Sequence, residues 1–334
     1  MISINYDIGD ESLRLLANLE QHYAAWIEAE RVLLPGRLAW KTVGERDYLY
    51  RLINGRGDGR SLGPRSPKTE AQYAAAQMAR QSSTTLRPLL RREGAMYRTL
   101  RLPRISSAAA DLLREFDRYE LLGSSLMVVG TNAMAAYEIE AGVRFATAAG
   151  VDSTLDFDMT WVSGEARQTT LAGVGAAPRT LLDVIKRVDS TYTVNTERSF
   201  QARNASGYEV ELLLPKSLAE TLPRNETLFP IALPEQDWLL PGRRVEHVVC
   251  GLDGLPARVI APDPRRFALQ KLWLAEKPSR NPLKKPKDAK QGALLLGAIE
   301  DRMPHFPLDD AFRDELPPEL TPHFDRWRKA KSED

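Results

Sequence analysis

The stretch Thr154-Leu155-Asp156-Phe157-Asp158-Met159-Thr160-Trp161 alternates apolar and polar side chains through its middle, a period of two that an extended strand buries on one face only. Leu155, Phe157 and Met159 then face a core, and Asp156 and Asp158 stand together on the other side. Side chains two apart on a strand are rooted roughly 6.6 Å apart. Two short carboxylates at that spacing can converge on a pair of divalent cations about 3.5–4 Å apart, as phosphoryl-transfer sites require. A plain amphipathic strand carries the same tripeptide, so the flanking segments must decide.

Upstream, Leu126-Met127-Val128-Val129 is a short apolar run, Gly130-Thr131 a turn, and Ala133, Met134, Tyr137 and Ala141 recur at helical spacing. Strand, turn and helix in that order bring free backbone N–H groups, the Thr131 hydroxyl and the positive end of a helix to one point, which suits nucleotide phosphates. An ordinary capped helix, with Thr131 or Asn132 as the cap, has the same pattern. Downstream, Gly207–Pro215 reads as a strand that puts Glu209 and Glu211 on one face. Either supplies a third carboxylate.

The chain has 334 residues, 43% of them hydrophobic, one cysteine and a net charge of +1. That length exceeds one ordinary domain, and the single Cys250 excludes an internal disulfide and reads as a small buried hydrophobe. The sequence shows no cleavable leader and no apolar run of about 18 residues, so a cytoplasmic protein without a membrane span is expected. A near-zero net charge leaves nucleic-acid binding to local clusters. One runs through Arg87, Arg91, Arg92, Arg98, Arg101 and Arg104; another through Arg265, Arg266, Lys271, Lys277, Arg280, Lys284, Lys285, Lys287 and Lys290. Charge runs most often only solvate a helix face.

Three regions are expected. Residues 1–120 read as an all-helical lobe, with Leu13, Leu16, Leu19 and Tyr23 at helical spacing, a loop from Asn54 to Pro67, and helices around Glu70–Gln81 and Ser107–Leu122. Residues 121–260 read as a core with a central mixed sheet, including a helix near Arg179–Val188, a hairpin of Ser199–Asn204 with Tyr208–Leu214, and strands at Val245–Gly251 and Ala257–Ile260. Residues 261–334 read as helical, starting at Asp263-Pro264 and restarting at Lys287-Asp288 after a break at Pro278–Pro286. The class is α+β. Gly173-Val174-Gly175-Ala176-Ala177-Pro178 resembles a dinucleotide loop, but Pro178 in the sixth position and the lack of a leading strand make it a connector. His22, His247, His305 and His323 lack ligand spacing.

The order of Gly-Thr turn, Asp-x-Asp strand and later acidic strand resembles the DNA polymerase beta-like nucleotidyltransferase superfamily. A bacterial nucleotidyltransferase-fold group within it is similar over most of the chain. The likeness is carried by Leu38–Lys41 through Tyr48–Tyr50, Ser61–Ser66, Val129–Ala133 through Tyr137, Thr154–Asp158 and Pro262–Trp273. Thr131 stands where the superfamily usually has Ser or Gly, and Glu211 where it usually has Asp. The resemblance implies that Asp156, Asp158 and Glu211 hold two Mg²⁺ (or Mn²⁺) ions and that Gly130, Thr131 and Asn132 receive an NTP. Related nucleotidyltransferase-like toxins carry a lysine helix, a basic loop and a basic-Asp pair, which points to Lys271 for the phosphates with Lys287 and Asp288 behind it. The implied reaction moves NMP to an acceptor hydroxyl and releases pyrophosphate. RNA, the 3′ end of a tRNA included, is the expected acceptor; a protein acceptor is an alternative, as is a catalytically silent binding module in a toxin–antitoxin or defence pair.

Overall fold

The computed structural model describes residues 4–34, 36–52, 59–145, 156–163, 180–221 and 227–332. Strand β1 (Ile4–Asp7) leads into helix α1 (Asp10–Leu33), whose Leu15, Leu16, Leu19, Tyr23 and Ile27 are buried at three- and four-residue intervals. Leu13, expected on that stripe, is 49% exposed.

The all-helical N-terminal lobe is corrected: besides β1, the strands β2 (Arg37–Val43), β3 (Arg46–Leu52) and β4 (Gly59–Pro64) form an antiparallel sheet in that order. Val43 pairs with Arg46 across Gly44-Glu45, and Gly44 has φ +63, as a two-residue hairpin turn with glycine first requires. Gly59–Pro64, expected in the Asn54–Pro67 loop, is therefore an edge strand, and the part of that loop up to Asp58 lies outside the described residues. Helix α2 (Pro67–Thr99) follows with a capping box between Ser66 and Thr69 and a proline in its first turn. It packs along α1. Tyr73 of α2 meets Trp40 of β2 at 5.7 Å between ring centroids.

Strand β5 (Arg104–Ile105) and helix α3 (Ser107–Arg118) enter the core, followed by β6 (Leu126–Val128), a 3-10 turn over Gly130–Ala133, α4 (Met134–Glu140), β7 (Val143–Phe145) and β8 (Asp156–Trp161). Then come α5 (Leu181–Val188), β9 (Thr193–Val194), β10 (Gln201–Arg203), β11 (Glu209–Pro215), β12 (Ile231–Leu233), α6 (Pro234–Asp237), β13 (Val245–Gly251) and β14 (Pro256–Ala261). The main sheet runs β6-β8-β11-β10-β9, with β12 added parallel to the end of β11. It is mixed: β8 is antiparallel to β6 and parallel to β11. A smaller sheet, β14-β13-β5, packs against α3 and α4. The Gly173–Pro178 connector lies outside the described residues.

Helices α7 (Pro264–Glu276) and α8 (Lys285–Arg302) pack as a pair, followed by α9 (Asp310–Asp314) and α10 (Thr321–Ser332). Asp263 caps α7 by accepting from the Arg265 N–H at 3.0 Å. The buried Tyr137 of α4 ties this region to the core, its hydroxyl donating to the Pro262 carbonyl at 3.0 Å and its ring 5.1 Å from that of Phe267. Cys250 is fully buried on β13, where burial pushes its thiol up to about 12. Among the described residues no helix is long and apolar enough to cross a membrane. The α+β class with a central mixed sheet is as expected.

Candidate active site

In the parallel pairing of β8 with β11, Glu209 lies opposite Asp156 and Glu211 opposite Asp158. Neighbouring strands are about 4.8 Å apart, so four carboxylates form a two-by-two array on one face. On the other face Phe157, Met159, Val210 and Leu212 are at most 1% exposed, and burying each is worth roughly 1.5–3 kcal/mol. That apolar set locks the register, because a slip of either strand by one residue would turn its two acids into the core. Gln201 of β10, paired with Glu211, crosses the array: its Nε2 donates to Glu209 Oε2 at 2.9 Å and to Glu211 Oε1 at 3.0 Å. Asn195 Nδ2 donates to Gln201 Oε1 at 2.8 Å and so sets the amide's orientation.

The turn after β6 closes on this array. Val129 N–H donates to the Asp158 carbonyl at 3.0 Å. Gly130 has φ +71, and a Cβ there would meet Asp158 Oδ2 at 2.1 Å. Only glycine fits. Thr131 and Asn132 are buried beneath the turn: Gln291 of α8 donates to Thr131 Oγ1 at 3.4 Å, and Asn132 Nδ2 donates to the Asp156 carbonyl at 3.4 Å. Of the three residues expected to receive a nucleotide, Gly130 lines the cleft, while Thr131 and Asn132 fasten the turn to α8 and β8.

The cleft encloses about 200 Å³. Its acidic floor is Asp158 and Glu211, its cationic wall is Lys271, Arg280 and Lys284, and Phe200, Leu213, Ile231, Leu233 and Leu274 supply an apolar side with Gln236 and Gln270. Lys271, 4% exposed, bonds Asp288 Oδ1 at 2.8 Å, and Arg280 Nε bonds Asp288 Oδ2 at 2.7 Å. Although burial opposes it, the Lys271 and Arg280 charges hold the Asp288 carboxyl below its ordinary range. Lys284 Nζ reaches Asp156 Oδ2 at 2.8 Å. Lys287 has its pKa lowered by burial and by the Lys271 and Lys284 charges, against the pull of Asp156. The structure thus brings Asp156, Asp158, Glu211, Gly130, Lys271 and Lys287 into one neighbourhood. Sequence reasoning did not single out Gln201, Arg280, Lys284 or Gln236 as site residues; Arg280 and Lys284 were visible only as members of a charge run.

Burial, with the Asp156 and Glu211 charges beside it, raises the Asp158 carboxyl to about 7 against the opposing charges of Lys284 and Lys271. An array of hard oxygen donors fits Mg²⁺ or Mn²⁺, since such an ion would offset the repulsion of Asp158 by the Asp156 and Glu211 charges that adds to its burial. Among the described residues no three His, Cys, Asp or Glu side chains are already converged as a metal-ligand group. Gln201 and Lys284 hold the carboxylates in this arrangement.

No curated protein and no solved structure matches the chain. A family model described as nucleotidyltransferase matches residues 107–317, from α3 through α9, and so takes in the carboxylate array, the Gly130 turn and the cationic wall. With well over half of its length matched, the chain belongs to that nucleotidyltransferase family.

Proposed function

We propose that this protein transfers the nucleoside monophosphate of an NTP to an acceptor hydroxyl of RNA, with release of pyrophosphate. The observation that carries the reading is the in-register pairing of Asp156-x-Asp158 with Glu209-x-Glu211 at the floor of a cleft walled by Lys271, Arg280 and Lys284. Asp156, Asp158 and Glu211 are the residues that would hold Mg²⁺ or Mn²⁺, which when bound polarises phosphoryl oxygens and acidifies an acceptor hydroxyl. Lys284 and Lys271 counter the triphosphate charge, and the Gly130 turn lets a phosphate approach without meeting a side chain. The acceptor oxygen bonds the α-phosphorus as the bond to the β-phosphate's bridging oxygen breaks. Glu211 Oε2, the oxygen that Gln201 leaves open, takes the acceptor's proton. The apolar side of the cleft keeps water from competing as acceptor.

A second reading, a silent binding module, draws support from Lys284 on Asp156 and Gln201 on both glutamates, which give those three acids partners without a metal. Incubation with Mg²⁺ and each α-labelled NTP, with total bacterial RNA and total protein as acceptors, separates the readings. Label in RNA that is lost by at least about 10³-fold in Asp156→Asn/Asp158→Asn supports the proposal. Label confined to protein moves the acceptor, and no label in either fraction supports the silent module.

A further inference from the structure

We infer that α2 carries a binding track for a nucleic-acid phosphate backbone, an inference that extends the reading of RNA as acceptor. Arg87, Arg91 and Arg98 lie seven, eleven and eighteen residues beyond Arg80. At 3.6 residues per turn these are close to two, three and five whole turns, so the four arginines fall on one stripe about 27 Å long. All four are exposed. Among the described residues none has a carboxylate partner, whereas Arg31, Arg65, Arg114, Arg118, Arg258 and Arg313 each have one or more within 4 Å. Arg87 and Arg91 are i,i+4 neighbours of like charge, which disfavours the bare helix. A polyanion along the stripe would turn that repulsion into attraction.

Two hollows follow the stripe. One of about 520 Å³ is lined by Ser83, Thr84, Arg87, Pro88 and Arg91. The second, of about 370 Å³, lies between Arg91, Arg98 and the turn Asp253–Leu255. The second exists because α2 runs hard against that turn: a Cβ on Gly94 would stand 1.7 Å from the Gly254 carbonyl. The one carboxylate at its edge, Asp253, is already held by Arg114 at 2.9 Å, so it does not cancel the arginines.

Density of charge distinguishes the track from a surface for an acidic peptide. The guanidinium forks stand at intervals of seven, four and seven residues, and a nucleic-acid strand, with a phosphate at every nucleotide, about every 3.4 Å, offers each fork a bidentate partner wherever it falls. The end of the stripe is joined to the acidic array by a short stretch of chain: Ser106 is eight residues after Arg98, within roughly 28 Å along the chain, and its hydroxyl is 2.8 Å from that of Tyr208, the neighbour of Glu209.

The test is fluorescence anisotropy of a labelled 20-nucleotide oligouridylate with the full-length protein, titrated at 50 and 200 mM NaCl. Four phosphate contacts on a single strand give a log–log salt slope near −2.8, or about a 50-fold loss of affinity over that range. Arg87→Glu/Arg91→Glu, at exposed positions away from the cleft, should bind at least tenfold more weakly at 50 mM with the slope reduced by about 1.4. Arg87→Gln/Arg91→Gln should fall between, and equal melting temperatures exclude misfolding. Unchanged binding by the charge-reversed protein overturns the proposal. So does competition by polyglutamate equal, per charge, to that by RNA, which would assign the stripe to an acidic protein. Equal binding of duplex DNA supports the polyphosphate track while removing any preference for RNA. If RNA binds through these arginines yet receives no NMP from the wild type, the track stands and the acceptor reading fails.

Discussion

Lys284 Nζ lies 2.8 Å from Asp156 Oδ2, 128 residues away in the chain, and its ammonium is the cation that the acidic array meets first. Despite partial burial, Asp156, Asp158 and Glu211 hold that ammonium above the ordinary lysine range. On the proposed reading Lys284 would compete with a divalent ion for Asp156 and, once displaced, would meet phosphate. Lys284→Met should lower the Mg²⁺ concentration for half-maximal transfer several-fold and raise KM for the NTP about tenfold, the value of one charge-assisted contact. Steady-state kinetics across a Mg²⁺ series measures both; a fall in Mg²⁺ affinity would contradict this role.

Gly130→Ala should damage the site through Asp158. The new methyl must displace Asp158 Oδ2 and also accept φ +71, a combination costing roughly 1–3 kcal/mol for the backbone before any clash is counted. We expect a lower melting temperature together with at least tenfold slower transfer.

Gln236 is 5% exposed, lines the cleft, and its Oε1 has no hydrogen-bond partner. A buried acceptor left alone destabilises by about 1–3 kcal/mol, which a ligand that donates to the amide would recover. Gln236→Leu should raise the melting temperature of the free protein and weaken NTP binding. Calorimetric titration with each NTP, beside thermal unfolding, reads the two effects; a variant both less stable and unaltered in binding would refute this.

The pair His247 Nε2 and Glu140 Oε2, 2.5 Å apart, makes stability depend on pH. Burial alone would lower the His247 pKa, but its bonds to Glu140 and Glu20 raise it to about 9, and His247 with His305 lowers Glu140 to about 2. The unfolded values are near 6.5 and 4.3. The pair's contribution, roughly 2 kcal/mol once partial exposure is discounted, is thus complete between those values. It is lost as pH rises through about 9 and as pH falls through about 2. Denaturant unfolding from pH 6 to 9.5 should show the decline, and His247→Gln should flatten it.

Much of the site was legible because it rests on strand periodicity. Asp156 with Asp158, and Glu209 with Glu211, follow from alternation alone, and the apolar residues between them explain why both strands are buried on one side. The helix starts at Asp263-Pro264 and Ser107, each preceded or opened by its capping residue, were equally local. The β2–β4 sheet was missed because its strands are half-exposed and carry Arg, Lys and Asp among their apolar residues, so no clear apolar period marks them; only the Gly44 turn signals a hairpin.

Pairing between distant strands is where local pattern stops informing. Parallel β8 and β11 stand about fifty residues apart in sequence, and their register, which sets acid against acid, depends on how two apolar faces pack. The same packing brings Gln201 across the glutamates, carries Lys284 to Asp156, and turns Thr131 inward onto Gln291 rather than toward the cleft. The chemistry available was written in residue types at short spacing, which a strand or helix converts directly into a shared face. Which of those groups meet was settled by long-range burial, since the free energy that selects one arrangement comes from apolar surface contributed by the whole fold.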